Sequence, residues 1–334
     1  MLAAIQRTYG APNVLTLEQI EPPTPGPGDV LVQVHASPVT QGDRRLRSSD
    51  FPALTWLPGR LIFGVTRPRN PVTGTQFAGR VVAVGDEVTR FAVGDDVFGS
   101  ADRGAYAELL VVPEGGAMAS IPQGWGYAEA ASMPYGGVTA LAFLRQMAEL
   151  SAGEHVAIVG ASGGVGRVAV QLAHALGAEV TAVCSRDHEL LGDLGADHVV
   201  DRRVEDFTAH ASRYDVVFDT SGRVPFRACR GALTAQGRYL TLFMTARALW
   251  EMAWTRVRGG QRATCGVALG DRDLVEELAG LMAQGSVRAV VARRHPLEQI
   301  VAAHEDLETG EYSGDIVVEY TRADVTSARL PRAA

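Results

Sequence analysis

Residues 159–166 read V-G-A-S-G-G-V-G, and nothing larger than a serine side chain stands between Val159 and Val165. A stretch this bare lets backbone N–H groups come close to an anion, provided that a strand feeds it and a helix leaves it. Both conditions hold: "HVAIVG" has the apolar, β-branched character of a buried strand. From Val165 to Leu176, Val168, Leu172 and Ala175 recur at helical spacing, and Gly177 suits the helix end. Gly160, Ala161, Ser162, Gly163, Gly164, Val165 and Gly166 therefore form the expected pyrophosphate cradle. Gly163 and Gly164 are assigned to the tight turn and Gly166 to close helix–sheet packing. The competing reading is a strand-to-helix turn that holds nothing. About 20 residues on, where an acidic side chain would select a ribose 2′-hydroxyl, the chain has Ser185 and Arg186. A hydroxyl beside a guanidinium suits a 2′-phosphate, so NADPH is expected ahead of NADH. Asp187 next door, and the option that Arg186 is an ordinary surface charge, keep NADH open.

Such a loop needs a parallel sheet around it. From about residue 150, apolar runs such as "EVTAVC", "YDVVFDT" and "GRYLTL" alternate with helical segments, which predicts a doubly wound sheet covered on both faces. The first 122 residues differ: "VLVQVHA", "GRVVAVG" and "YAELLVV" are short runs separated by Pro- and Gly-rich connections, as expected of a β-barrel. The last 40 or so residues read as helix, turn and strand, with the tail after Tyr320 expected to fray.

Composition narrows the partners. A formal charge of −7 argues against nucleic acid, and no apolar run approaches the roughly 18–20 residues needed to span a bilayer. The opening "MLAAIQRTYG" has neither a basic leader nor a long apolar segment, so a cytoplasmic location is expected. Cys184, Cys229 and Cys265 are too scattered for a disulfide framework or a CxxC site and are expected to be buried apolar residues. The eight histidines show no metal-binding spacing.

Taken together, "GDVLVQVHASPVTQGDRRLRS", "GTQFAGRVVAVGDEVTRFAVGDDVFG", "GAYAELLVVPE", "MPYGGVTAL", the "ASGGVG" loop, "LGADHVVD" and "HPLEQIVAAHEDLETGEYSGDIVV" resemble the medium-chain dehydrogenase/reductase superfamily across almost the whole chain. Within it they resemble the zinc-free quinone oxidoreductase and enoyl reductase branch. The resemblance implies an α/β protein: a GroES-like β-barrel catalytic domain from residues 1–122 and 292–334, and a Rossmann NADP-binding domain from 123–291. It also implies a homodimer. Zinc-dependent relatives carry a cysteine early in the barrel and a His-Glu pair. Here Thr75 and Gln76 occupy the position of that pair, and no cysteine precedes residue 184. An enzyme without that Lewis acid must polarise its substrate by hydrogen bonds, which suits quinones and enones better than simple alcohols.

The family pattern carries further onto single positions. Thr139 matches a threonine near the nicotinamide. Thr220, Ser221 and Gly222 match the segment that lies along the cofactor, and Leu242, Cys265, Gly266 and Val267 match the strands that recognise the nicotinamide amide. Each of these could equally be ordinary sheet packing. Thr40 and Arg45 stand where relatives often have asparagine and tyrosine, so the family's tyrosine donor does not transfer. Thr40, Asp43, Arg45 and Tyr135 are the candidate catalytic group, with loop bracing as the other role for Asp43. Asp315 replaces a Lys or Asn of many relatives and leaves no expected cofactor contact. In "TARALWEMAWTRVRGG", Ala246, Leu249, Trp250, Ala253, Trp254 and Val257 share one helical face, expected either to wall a substrate cleft or to pack on the domain or a partner. Arg256, Arg258 and Arg262 add membrane-surface contact as a third option. The expected activity is NADPH-dependent transfer of hydride to a small conjugated carbonyl or quinone substrate. The alternatives are a specialised natural-product biosynthetic reductase on the same scaffold, and a nucleotide-binding regulatory protein without turnover.

Overall fold

The computed structural model describes residues 1–51, 53–268 and 270–320. Strands β1 to β7 are Leu2–Gln6, Leu15–Gln19, Asp29–Val39, Gln76–Val84, Asp96–Ser100, Leu109–Pro113 and Met118–Ser120. Strands β8 to β13 are His155–Val159, Glu179–Cys184, His198–Asp201, Tyr214–Asp219, Leu233–Thr241 and Arg262–Cys265, and β14 and β15 are Val291–Pro296 and Asp315–Glu319.

Strand β3 is the spine of the barrel-like sheet. Its residues are covered on both faces, and it pairs antiparallel with β4, β6 and β15. Because β15 comes from the far end of the chain, and β14 pairs parallel to it, this seven-stranded sheet closes only when both chain ends meet. The second sheet is all-parallel, ordered β10-β9-β8-β11-β12-β13. In the order of that unit's own strands this is 3-2-1-4-5-6, the doubly wound arrangement whose direction reverses between β8 and β11.

Helix α1 (Gln41–Ser48) and helix α2 (Ala53–Phe63) lie in the connection from β3 to β4. An alternating-strand reading of the first 122 residues has no place for them. Their local causes are plain: Thr40 and Asp43 cap α1 reciprocally, and the apolar run "LTWLPGRLIF" has no strand alternation.

Helix α3 (Tyr127–Leu141), which runs on into a single π-type turn over Ala142–Met147, joins the two sheets. It is buried nearly all round, as expected of a helix whose sequence has no polar face. Its core is continuous with Ala36 and Phe98 of the first sheet and with Val156 and Phe218 of the second. Two glycines set the approach distance. A Cβ on Gly136 would fall 2.6 Å from the Gly164 carbonyl oxygen, at the start of helix α4 (Gly164–Ala175). A Cβ on Gly137 would fall 2.5 Å from Leu278 in the helix Arg272–Ala283.

All three cysteines are buried. The apolar stripe of the helix Ala246–Arg258 neither walls the cleft nor packs as a whole on its own domain, two of the roles expected for it. The helix's buried side chains are Glu251 and Thr255, whereas Trp250 and Val257 face solvent. A polar tie holds the helix down, since Thr255 Oγ1 accepts the Ala263 N–H of β13 (3.1 Å), while Glu251 receives Arg247 Nε one turn back on the same helix (3.0 Å). Periodicity locates the stripe, but backbone groups at the sheet edge need partners, and only the opposite face can supply them.

Candidate active site

A cleft of about 1090 Å³ opens over the carboxyl ends of β8, β9, β11 and β12, where the strand order reverses. Its floor is the glycine loop. The tight turn expected at Gly163 and Gly164 is made instead by Gly160, whose φ of 82° is in the left-handed region. A Cβ there would meet Thr220 Oγ1 at 2.7 Å, and one on Gly166 would sit 2.3 Å from the Gly160 carbonyl oxygen. These two glycines are required by the fold itself. Gly163 and Gly164 are not: Gly163 has a φ of −77°, and the nearest atom to a Cβ would be 3.2 Å away at one position and 3.4 Å at the other. No side chain caps α4. Its first N–H groups and the positive end of its dipole therefore meet the cleft where Gly163 and Gly164 line it without side chains, which fits a pyrophosphate.

The side walls, which include Thr220, Ser221 and Leu242, are braced internally. Asp219, fully buried at the end of β11, accepts the N–H groups of Ser221 (2.9 Å), Gly222 (2.9 Å) and Val224 (3.2 Å) and the Ser221 hydroxyl (2.7 Å). Burial raises its pKa, and those donors act in the opposite direction. Thr220 Oγ1 donates to the Val159 carbonyl at 2.9 Å. Asp219 is absent from the sequence-derived candidates, although an aspartate before T-S-G is an Asx-turn signal.

At the far end of the cleft, Ser185 lies beside Arg186, Arg202 and Arg203. Arg186 bonds the Gly310 and Tyr312 carbonyls of the loop before β15, and so spans the two sheets. Arg203 pairs with Asp201 (2.6 Å) and holds that carboxyl well below the usual range. Arg202 is in no ion pair among the described residues. Neither Arg202 nor Arg203 is singled out by sequence, because they follow the third strand of the unit and not the second.

Helix α1 and α3 form the opposite wall, with Gln41, Arg44, Arg45 and Tyr135. The Arg45 guanidinium lies 4.8 Å from the centre of the Phe243 ring, another lining residue absent from the sequence reading. Tyr135 packs against Gly42, whose Cβ would be 3.1 Å from the ring. Burial raises the pKa of Tyr135 while the Arg45 charge opposes that rise.

Thr40 and Asp43 stand behind this wall. Asp43 Oδ2 accepts the Thr40 hydroxyl (2.6 Å) and N–H (3.0 Å), and its Oδ1 accepts the Thr75 hydroxyl (2.9 Å). Both side chains are buried and committed to capping α1, the bracing role. The Thr139 hydroxyl, on α3, donates to the Tyr135 carbonyl at 2.7 Å, one turn back along the helix. Cys265, Gly266 and Val267 do not line the cleft: they stand at the end of β13 and just beyond it, with Cys265 buried and Gly266 against Met147. Asp315 pairs with Arg167 of α4 at 2.8 Å, and Arg167 also donates to the Ser162 carbonyl at 2.6 Å.

The positions that correspond to a zinc site do not suit the metal. Thr75 is bonded to Asp43, and the Gln76 amide oxygen accepts the Ser100 hydroxyl at 2.6 Å. Among the described residues, no group of three or more His, Cys, Asp or Glu side chains is placed to hold a metal ion.

Residues 26–141 match the family described as "Alcohol dehydrogenase GroES-like domain", and residues 194–318 match "Zinc-binding dehydrogenase". The chain is 31% identical to a quinone oxidoreductase of Pseudomonas aeruginosa over 93% of its own length and 97% of the relative's. The chain belongs to the medium-chain dehydrogenase/reductase superfamily. The structure of the quinone oxidoreductase from Coxiella burnetii superposes with a TM-score of 0.81 at 28% identity, covering 96% of this chain and 99% of that one. The CurF ER cyclopropanase from the curacin A biosynthetic pathway superposes with a TM-score of 0.82 at 25% identity, over 96% and 99% of the two chains. Within this superfamily the chain is an oxidoreductase that uses a nicotinamide cofactor. No helix among the described residues is long and apolar enough to cross a membrane.

Proposed function

We propose that this medium-chain reductase uses NADPH, without zinc, to reduce a quinone or an α,β-unsaturated carbonyl compound. The observation that carries the reading is the uncapped start of α4, where Gly163 and Gly164 line the cleft without side chains, faced across the cleft by Tyr135 and Arg45. The N–H groups of α4 would hold the pyrophosphate, while Ser185, Arg202 and Arg203 would surround the 2′-phosphate. When bound, the nicotinamide supplies a hydride. Arg45 offsets the negative charge that develops on the substrate oxygen, and the Tyr135 hydroxyl donates to that oxygen. Thr40 and Asp43 act as positioning residues, because their cap orients α1 and with it Arg45. A specialised biosynthetic reductase is the second reading, supported by the likeness to the curacin-pathway protein.

Calorimetry with NADPH and NADH, followed by turnover on quinones, enones and alcohols, tests the reading. We expect NADPH to bind more tightly. Replacing Arg202 and Arg203 with alanine should weaken NADPH by about tenfold or more and leave NADH nearly unchanged. Absence of binding to either nucleotide, or activity confined to alcohols with added zinc, would overturn it.

A further inference from the structure

Helix α2 projects an apolar face that the fold does not cover. Trp56, Leu57, Leu61, Ile62 and the following Val65 are between 45 and 63% exposed. Soluble surfaces rarely concentrate so many large apolar side chains within ten residues. The helix is nevertheless anchored. Phe51 and Phe63 stack with ring centres 5.9 Å apart, and Gly59 lies against Phe51. The Tyr9 hydroxyl donates to the Gly64 carbonyl (2.8 Å), and the Arg60 guanidinium lies 4.2 Å from the Tyr9 ring centre while bonding the Val65 carbonyl (2.9 Å). The apolar face is thus held outward by packing on the other side.

Charge indicates what would cover it. From Phe51 to Gly79 the chain carries Arg60, Arg67 and Arg69 and no carboxylate, in a protein of formal charge −7. Among the described residues, Arg67 and Arg69 are in no ion pair. Two copies meeting face to face would bring these cations together, whereas an anionic surface would neutralise them. A helix of eleven residues is too short to span a bilayer but long enough to lie in its interface.

We propose that α2 docks on an anionic lipid surface, with Leu57, Leu61 and Ile62 entering the headgroup–acyl boundary and Arg67 and Arg69 meeting lipid phosphates. The cleft described above takes no part in this contact, and the proposal does not depend on the enzyme's substrate.

The test is flotation of the full chain with phosphatidylcholine vesicles containing about 30% phosphatidylglycerol, against vesicles of phosphatidylcholine alone. We expect association with the anionic vesicles, weakened by salt at about 0.5 M. It should fall about tenfold or more in Leu61→Ser/Ile62→Ser and in Arg67→Glu/Arg69→Glu. These side chains are exposed, so the variants should keep the parent melting temperature and NADPH affinity. As a check that needs no folding comparison between apolar variants, brominated lipid should quench the parent's fluorescence, and Trp56→Phe should remove that quenching. Equal association with both vesicle types, no association, or loss of association in Trp250→Ser alone would overturn the proposal. So would concentration-dependent self-association that Leu61→Ser/Ile62→Ser abolishes without any vesicle binding.

Discussion

Tyr135 illustrates how little of a side chain's role is carried by its identity. It sits in an apolar helix between Pro134 and Gly136, and its ring is trapped against Gly42 while Arg45 supplies a nearby charge. A phenol is protonated through the neutral range in any case, as a hydrogen-bond donor requires, and burial raises its pKa further. Replacing Tyr135 with phenylalanine should lower kcat by about 10- to 100-fold and leave NADPH affinity within about twofold, measured by steady-state kinetics and calorimetry. An equal loss of cofactor affinity would assign Tyr135 to binding. At this scale the sequence singles out Arg45 and Tyr135, which the fold brings to one wall. It cannot separate them from Thr40 and Asp43, because facing a cleft and facing a backbone N–H are indistinguishable until α1 is built.

Among the elements, the glycine loop combines two demands that composition alone merges. Gly160 and Gly166 accommodate the protein's own backbone tightly, whereas Gly163 and Gly164 have looser surroundings and line the cleft at the start of α4. Gly166→Ala should destabilise the protein by about 1–3 kcal/mol in urea unfolding, since its Cβ would fall 2.3 Å from a carbonyl oxygen. Gly163→Ala should leave stability nearly unchanged and weaken NADPH binding by about tenfold or more, because a methyl group would stand where backbone must approach phosphate. The motif is legible because its context, strand then helix, is local. The orientation of the helix Ala246–Arg258 is not, because its apolar stripe and its buried face are different faces.

Across the whole molecule, contacts between distant segments set both stability and its pH dependence. His304, on the helix Ile300–Thr309, is buried beside Arg47 of α1, and neither ring nitrogen has a hydrogen-bond partner. Burial, reinforced by the Arg47 charge, lowers its pKa to about 3 from an ordinary 6.5. The unfolded chain therefore binds a proton that the native chain excludes, so this residue's contribution to stability is intact above about pH 6.5 and declines as pH falls toward 3. Between pH 7 and pH 5 the loss should be about 2 kcal/mol. Urea unfolding of His304→Leu at the two pH values should show that part of the slope removed; an unchanged slope would mean that the imidazole protonates in the native state. Arg167 and Asp315 tie α4 to β15, and Arg186 reaches the loop before it, so the cleft is framed by links between segments more than 100 residues apart.

Local order is readable from the chain: the bare loop between strand and helix and the alternation that builds a parallel sheet depend on neighbours in sequence, whereas the significance of Thr75 and Gln76 is visible only through the family resemblance. Other features depend on neighbours in space. Arg202 and Arg203 join Ser185 only because β9 and β10 are adjacent, Asp315 pairs with Arg167 only because the C-terminal strand returns to β3, and α2 presents its apolar side outward only because Phe51 and Tyr9 hold the other. Periodicity states which residues share a face; long-range packing and the satisfaction of backbone hydrogen bonds choose the direction in which that face points.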